Sequence, residues 1–453
     1  MSRHSATLAL LALAGSAGFA RAQQFIPMNA QAKNYNETRT NTANKGIIAF
    51  FGQRDTGDPV AGLWDWRTDE VAEMPPIIGD LGEPLPFEPV QLRTTARGPG
   101  DPIKGINIGL IKKPPPSAAI WDAGDGAPGT VYELPNGLGM VSWATAASTD
   151  TAIVGGALGD AVSRYAAIWT NAGDAELLPV PAGTNASEVW DMSPSGGVGI
   201  GFAAIATQGM SSDQGTRPKP VKTNAQKGII WDFGSGTFQE VDPSTAGAES
   251  LVFAALSGDG SSALAWAAHA DDSTKAGLYD ILSQSFTPLD AGDLNGDGQI
   301  DLADLHDSVA YALSEDGSVI GGSYTPPGGQ ETAAFWSIAD GYQMHDLAGH
   351  LIAAGVTGLE GWHLTSITGV SDDGTVLSGA GYDPSGFADV WVAVLTVSCP
   401  VDLNEDGVLD LSDINLFGGG FLSGDPVADL DSNGILDLAD INLFVTGFLG
   451  GCP

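Results

Sequence analysis

A repeat of about 55 residues runs through most of this 453-residue chain and limits its fold more than any other feature. Its core is Ser-x-Asp-Gly-Ser, then a Gly-rich apolar strand, a loop and Ala-x-x-Trp, as between Ser314 and Trp336. The closing aromatic residues lie 57, 48, 62, 48, 57 and 55 residues apart, at Trp64, Trp121, Trp169, Trp231, Tyr279, Trp336 and Trp391. Several strands per unit at this period are typical of propeller blades. The sequence therefore predicts a mainly β fold, with a seven-bladed β-propeller over residues 23–397.

Each part of the repeat has a predicted place in a blade. Asp-Gly favours a tight turn between two strands, because both residues tolerate positive φ. The Gly-rich strand suits the crowded interior, and the aromatic residue would lie between neighbouring blades. The last unit ends soon after Trp391, so we expect residues 24–51 to supply its closing strand and to cover a free sheet edge. An open solenoid or two sandwiches are the alternatives.

Charge and the N-terminus indicate an exported protein. Lys and Arg number 18 against 55 Asp and Glu, a net charge of −37, which disfavours binding to nucleic acid. Residues 1–22 have a basic start, an apolar stretch and the small-x-small site Ala20-Arg21-Ala22, which predicts a signal peptide. A membrane anchor is the alternative, but the apolar run is too short to span a bilayer. We expect secretion to the cell surface or medium, with no transmembrane segment.

Residues 399–453 contain two copies of an acidic segment, 27 residues apart. Each copy places oxygen-bearing residues at loop positions 1, 3, 5, 9 and 12, glycine at position 6, and a main-chain carbonyl at position 7. Calcium takes six to eight such oxygens, and the glycine allows the sharp turn that brings them together. The predicted Ca²⁺ ligands are Asp402, Asn404, Asp406, Val408, Asp410 and Asp413 in the first copy, and Asp429, Asp431, Asn433, Ile435, Asp437 and Asp440 in the second. A solvated acidic tail is the alternative.

A third loop with this spacing lies inside the body, at residues 292–305. Phe286 is separated from the next Ser-Asp-Gly turn by 28 residues in the sequence, whereas the equivalent separation in the preceding unit is 19 residues. This difference predicts that the loop is an insertion between blades. Its predicted calcium ligands are Asp293, Asn295, Asp297, Gln299, Asp301 and Asp304. A solvated Asp-rich turn is the alternative.

The only two cysteines, Cys399 and Cys452, lie in Cys-Pro dipeptides that bracket the acidic copies. In an exported protein such a pair favours a disulfide. Free thiols and a metal pair are the alternatives, although no histidine lies nearby to complete a soft metal site.

Duplicated D-x-[DN]-x-[DN]-G-x₅-D loops, each followed by one helix, resemble dockerins, and the Cys-Pro frame resembles the GC-type dockerin domain of secreted bacterial proteins. The resemblance implies a small α-helical, EF-hand-like domain over residues 399–453 that docks to a cohesin-like protein or another cell-surface component. It also implies partner contacts at loop positions 10 and 11, which here are Leu411, Ser412, Leu438 and Ala439. The body repeat resembles the HAF-type extracellular repeat, which carries no assigned chemistry.

No catalytic motif stands out, and we assign no catalytic residue. His345, His350 and His363 are close in sequence and could form a site across the last two blades, but three loop histidines are more often hydrogen-bonded surface groups. The leading interpretation is a secreted calcium-binding protein whose propeller is a non-catalytic binding module, with polysaccharide as a candidate partner, displayed through the dockerin. The alternative is a dockerin-borne glycosidase or polysaccharide lyase.

Overall fold

The computed structural model describes residues 23–453 except 34, 45–46, 55, 76, 79–83, 94–105, 112–116, 123–129, 136–139, 160–162, 172, 206–225, 271–272, 290–306, 327–328, 396–400, 402, 404–410, 429, 431–435 and 451–453. The chain divides into two compact units. One is Gln23–Leu395, called the body below, and the other includes Thr396–Pro453, called the C-terminal module. The predicted signal peptide, 1–22, lies outside the described residues.

The body is built almost entirely from short strands. The first half contains β1 (Gln24–Pro27), β2 (Tyr35–Asn44), β3 (Ile47–Arg54), β4 (Pro59–Asp65), β5 (Glu70–Glu73), β6 (Ile77–Ile78), β7 (Pro84–Leu85), β8 (Phe87–Arg93), β9 (Ile106–Ile111), β10 (Ser117–Asp122), β11 (Thr130–Glu133), β12 (Val141–Ala147), β13 (Ile153–Gly159), β14 (Arg164–Thr170) and β15 (Ala175–Leu177). The second half contains β16 (Ala186–Met192), β17 (Val198–Ala204), β18 (Lys227–Asp232), β19 (Thr237–Val241), β20 (Ser250–Leu256), β21 (Ser262–Ala268), β22 (Thr274–Asp280), β23 (Ser285–Pro288), β24 (Asp307–Leu313), β25 (Val319–Thr325), β26 (Thr332–Ser337), β27 (Gln343–Asp346), α1 (Leu347–Ala353), β28 (His363–Val370), β29 (Val376–Tyr382) and β30 (Ala388–Val394). Short 3₁₀ turns lie at Ala30–Lys33, Pro243–Ala246 and Ile338–Asp340.

Within the described residues, β6 and β7 pair with each other, and the other strands form seven four-stranded antiparallel meanders, here called blades 1 to 7. They are β2–β5, β8–β11, β12–β15, β16–β19, β20–β23, β24–β27, and β28–β30 with β1. A single parallel residue pair links blade 3 to blade 4, and another links blade 5 to blade 6. The prediction of a mainly β chain is confirmed.

Apolar clusters lie between consecutive blades. One joins Leu63 of blade 1 to Trp121 of blade 2, and similar clusters follow along the chain to blade 7. Another joins Val392 of blade 7 to Ile48 and Trp64 of blade 1. The seven predicted aromatic anchors all lie on third strands, and none is more than 2% exposed. Blades that bury both faces against neighbours make the body a β-propeller.

The N-terminal segment supplies the outer strand of the last blade, as predicted. β1 pairs antiparallel with β30, so that Gln24 lies opposite Val394 and Pro27 opposite Trp391. Beyond it, the Ala30 N–H donates to both oxygens of buried Asp389, at 3.3 and 3.2 Å. The edge of β30 is therefore paired rather than free.

The Ser-x-Asp-Gly signature forms the turn between the first and second strands of a blade. In blade 6, Ser314 Oγ accepts the Val319 N–H at 3.0 Å and donates to Asp316 at 2.6 Å, and Gly317 has φ of 75°. All five turn serines accept the N–H of the residue five positions later: Ser148, Ser193, Ser257, Ser314 and Ser371. The repeat is therefore a local hydrogen-bond motif, which explains why it is visible in sequence.

The second strands are rich in glycine because the backbone of the innermost strand passes very close to them. A Cβ added to Gly322 would lie 2.1 Å from the Val309 carbonyl oxygen of the innermost strand, and one added to Gly201 would lie 2.0 Å from that of Glu188. Each of these innermost strands has a bulge just after that carbonyl, between Val189 and Asp191 in β16 and between Ala310 and Ala312 in β24. Glycine is therefore a steric requirement of the blade interior, as predicted.

The C-terminal module is helical in its described residues. It contains α2 (Leu411–Ser423), a 3₁₀ turn at Pro426–Ala428 and α3 (Leu438–Gly450). Phe417 and Phe444, equivalent residues of the two acidic copies, stack with ring centroids 4.1 Å apart, and each also contacts a further phenylalanine of its own helix, Phe421 or Phe448. Among the described helices, none is long and apolar enough to cross a membrane.

Candidate functional site

The structure places the last predicted ligand of each acidic copy in the first turn of a helix, as expected. Asp413 in α2 and Asp440 in α3 are both fully buried. Asp413 Oδ1 accepts the Leu403 N–H at 2.9 Å, and Asp440 Oδ1 accepts the Leu430 N–H at 2.8 Å. Leu403 and Leu430 hold the second position of their loops, so the two copies use the same contact between loop and helix.

These two carboxylates fit a divalent cation. A buried carboxylate is stable in its charged form only when a cation or several donors lie close to it. The segment from Cys399 to Pro453 contains ten acids and no Lys, Arg or His, so no side chain of the module can neutralise them. The donor set is all oxygen, which matches a hard cation such as Ca²⁺ rather than a soft metal.

The other predicted ligands fall mostly outside the described residues. Of the two C-terminal sets, only Asp413, Asp437 and Asp440 are described, and the Asp437 N–H donates to Asp440 Oδ2 at 2.9 Å. All six ligands of the inserted loop lie outside the described residues, as do Cys399 and Cys452. In the described part of the chain, no group of three or more His, Cys, Asp or Glu side chains is arranged for a metal.

In the order of the chain, the predicted inserted loop falls between the strands of two blades. The outer strand of blade 5 ends at Pro288, and the innermost strand of blade 6 begins at Asp307. Residues 290–306 between them lie outside the described residues, so the insertion and its calcium binding both stay predictions.

The predicted partner-contact residues begin the two helices. Leu411 is 66% exposed and Leu438 is 67% exposed, at equivalent positions of the two copies. Ser412 is also exposed, and Ala439 follows Leu438 in the first turn of α3. Further apolar side chains on the same helices are exposed: Leu416, Leu422, Leu443 and Val445. Helices that leave this much apolar surface in solvent are typical of a docking surface.

The three histidines form two separate groups, and the expectation that they lie on loops is wrong. His345 lies on β27 and His350 on α1, with ring centroids 5.8 Å apart and Phe335 in contact with both. Burial, and then the neighbouring His345, lower the pKa of His350. His363 begins β28, where its Nε2 donates to the Glu331 carbonyl at 3.0 Å. His345 and His350 make structural contacts, because His345 pairs with Asp340 and His350 contacts Gln23.

Sequence reasoning missed a second repeated contact that holds neighbouring blades together. A buried serine near the start of an innermost strand accepts an N–H from the preceding blade. Ser142 accepts from Ala118 at 2.9 Å, and Ser187 accepts from Ala166 at 2.8 Å. Ser250 and Ser308 do the same with Gln226 and Ala276. Serine is common in this chain, so the only available signal was its position about six residues before the Ser-Asp-Gly turn.

Sequence reasoning also missed a cluster between blades 6 and 7. Glu331 accepts hydrogen bonds from Ser323 at 2.6 Å and Tyr311 at 3.3 Å, and its carbonyl accepts from His363. The His363 ring stacks against Tyr382, with centroids 6.3 Å apart. No motif could reveal it, because five residues spread over four strands and one connection meet only in the folded body.

Comparison with known proteins bears on the fold alone. No protein-family model matches the sequence, and no similar sequence is found among curated proteins. A puromycin hydrolase mutant complexed with PGG is similar in structure over 84% of this chain, at 12% identity and a TM-score of 0.51; this chain spans 56% of that protein. An oligogalacturonate lyase in complex with manganese (10% identity, 83% of this chain, 94% of that one, TM-score 0.49) and TolB from Acinetobacter baumannii (13%, 79% and 78%, 0.38) are also similar. The body is thus a β-propeller by its own geometry and in agreement with the puromycin hydrolase fold.

Proposed function

We propose that this is a secreted calcium-binding protein that displays a propeller through a dockerin-like module. In this proposal the body is a closed seven-bladed ring that presents a binding surface. The C-terminal module folds around two calcium ions, is framed by a disulfide between Cys399 and Cys452, and docks to a cohesin-like protein or another cell-surface component. The single observation that carries the proposal is the matched pair of buried carboxylates, Asp413 and Asp440, in a module without a basic side chain.

Ring closure is supported at both ends of the body. The pairing of β1 with β30 covers the edge of blade 7, and the cluster around Trp64 and Val392 buries blade 7 against blade 1. A closed ring leaves its connections and strand ends as the surface on which a ligand can bind.

Calcium dependence is supported by charge. Ten acids repel one another in a module of this size, and two of them have no access to water. Binding of cations to deprotonated carboxylates would remove that repulsion, so folding and metal binding should be coupled. The exposed leucines at the helix starts, Leu411 and Leu438, would then form the docking surface.

The test is a calcium titration of the full-length protein followed by helical circular dichroism. All 11 tryptophans lie before residue 396, so tryptophan fluorescence reports the body alone in the same sample. We expect calcium to increase the helical signal and a chelator to reverse the increase. Asp413→Asn combined with Asp440→Asn should abolish it, because the substitution retains the shape of the side chain and removes its charge.

Asp425→Asn is the matched control, since Asp425 belongs to the same module but to neither ligand set. It should respond to calcium like the unmodified protein. A helical signal that is the same with calcium and with chelator would overturn the proposal.

A further inference from the structure

Blades 6 and 7 carry a mixed aromatic and polar cluster at the end of the body where second and third strands connect. It consists of Tyr311 on β24, Ser323 on β25, Glu331 before β26, His363 on β28 and Tyr382 on β29. We call these five residues the blade 6–7 cluster. None of them takes part in the calcium-binding sites proposed above.

The carboxylate of Glu331 is fixed from one side. Its Oε1 accepts the hydroxyl of Ser323, which is 1% exposed, at 2.6 Å and that of Tyr311 at 3.3 Å. Burial raises the pKa of Tyr311, so this phenol stays a donor. Glu331 itself is exposed, and its Oε2 receives no hydrogen bond from the described residues. One oxygen of a positioned carboxylate is therefore available to a ligand.

The ring of Tyr382 is a supported platform. It is 49% exposed, and His363, its cross-strand neighbour, stacks behind it at an interplanar angle of 29°. His363 is held in turn by its hydrogen bond to the Glu331 carbonyl at 3.0 Å. The Tyr382 hydroxyl makes no hydrogen bond to any described residue, so both its open ring face and its hydroxyl can meet a ligand.

A sugar ring suits this combination. Pyranose rings present an apolar C–H face that stacks on an aromatic ring, and hydroxyls that donate to a carboxylate. The overall charge of −37 and the local charge of Glu331 both repel acidic polysaccharides. We propose that the blade 6–7 cluster binds an uncharged polysaccharide, with Tyr382 as the stacking platform and Glu331 as the hydroxyl acceptor. This inference rests on the binding role proposed above for the body and names its ligand class.

The test is retention of the full-length protein, with calcium present, on a β-glucan, a xylan and a mannan, with polygalacturonate as the acidic comparison. We expect binding to at least one uncharged polysaccharide and none to polygalacturonate. Tyr382→Ala should weaken that binding about tenfold, the size expected when one aromatic contact is lost. Glu331→Gln should weaken it less, because an amide still accepts a hydroxyl without the charge.

Tyr132→Ala is the matched control. Tyr132 is 53% exposed on the outer strand of blade 2, far along the chain from the cluster, and its removal should leave binding unchanged. The inference is overturned if no uncharged polysaccharide is retained, if Tyr382→Ala binds as the unmodified protein does, or if polygalacturonate binds better. The calcium response of the helical signal, measured on the same samples, reports the docking proposal separately, so the failure of one is distinguishable from the failure of the other.

Discussion

The body and the C-terminal module are both built by repetition, but different interactions hold their repeats together. In the body, neighbouring blades share apolar clusters, and Trp64, Trp231 and Trp336 are among the side chains that are fully buried. In the module, two copies share one small core around Phe417 and Phe444, and each buries a carboxylate. Many blades together bury a large apolar core, whereas the two short helices share a small one, so we expect only the module to depend on ions for its stability.

The body and the C-terminal module also differ in where their acidic residues lie. In the turns of the body, Asp259 and its equivalents accept N–H and hydroxyl hydrogen bonds from their own turn and stay near solvent. In the module, Asp413 and Asp440 are removed from water altogether. An acid that caps a turn stabilises a fold by itself, while burying a carboxylate costs free energy that nearby donors or a counter-charge must offset.

Low pH should reveal the largest difference in stability between the body and the C-terminal module. The N–H of Ser261, and then the Ser257 hydroxyl, lower the pKa of Asp259 from its ordinary value of 3.8. Because that pKa is depressed in the folded state, its stabilising contribution is present above 3.8 and is lost only as pH falls through the lower, folded value. Calcium ligands must be deprotonated, so the module should release its ions as pH falls from about 5 toward 4.

The measurement is an acid titration in calcium, with circular dichroism for the module and tryptophan fluorescence for the body. We expect the helical signal to disappear before the tryptophan emission changes. Loss of both signals in a single transition would mean that the two regions do not differ in the way described above.

The next largest effect is expected from a substitution in β1, the strand that closes blade 7. Phe25 on β1 is buried, with its ring 5.3 Å from that of Trp362 and 6.2 Å from that of Trp391. Phe25→Ala should lower the free energy of unfolding of the body by about 3 kcal/mol. Urea unfolding followed by tryptophan fluorescence measures this, while the calcium response of the module should not change.

Phe387→Ala provides the control for that substitution. Phe387 is 46% exposed in the same blade, so its loss should change the free energy of unfolding by no more than about 0.5 kcal/mol. Equal effects of the two substitutions would argue against closure of blade 7 by the N-terminal segment.

The smallest expected effects come from replacing one glycine with alanine in each region, and they should change stability in opposite directions. Gly317 in the body turn has φ of 75°, so Gly317→Ala should destabilise the body by about 1–2 kcal/mol. Gly419 lies in α2, where an added Cβ would meet nothing within 4 Å. Gly419→Ala should therefore stabilise the calcium-loaded module by about 1 kcal/mol. Thermal unfolding of each variant checks the signs, and two destabilising results would contradict the second assignment.

Much of the local structure was predictable because it depends on residues close together in sequence. The Ser314 turn closes within five residues, and the contact of Leu403 with Asp413 spans ten. The strand and helix signals around them repeat in the same order, so one copy supports the interpretation of the next. The histidines show the limit, since sequence proximity suggested one group and the fold separates His363 from the other two.

By itself, the sequence determined the repeat units, their turns, the buried aromatic anchors and the helix that follows each acidic loop. Each of these follows from hydrogen bonds and steric limits within a few residues, which a repeating pattern displays directly. Only the tertiary structure decided which distant residues meet. Gln23 contacts His350 across 327 residues, and Glu331 meets Tyr311, Ser323 and His363 between two blades. Such contacts depend on how neighbouring blades face one another, and that orientation follows from the packing between blades rather than from any local pattern.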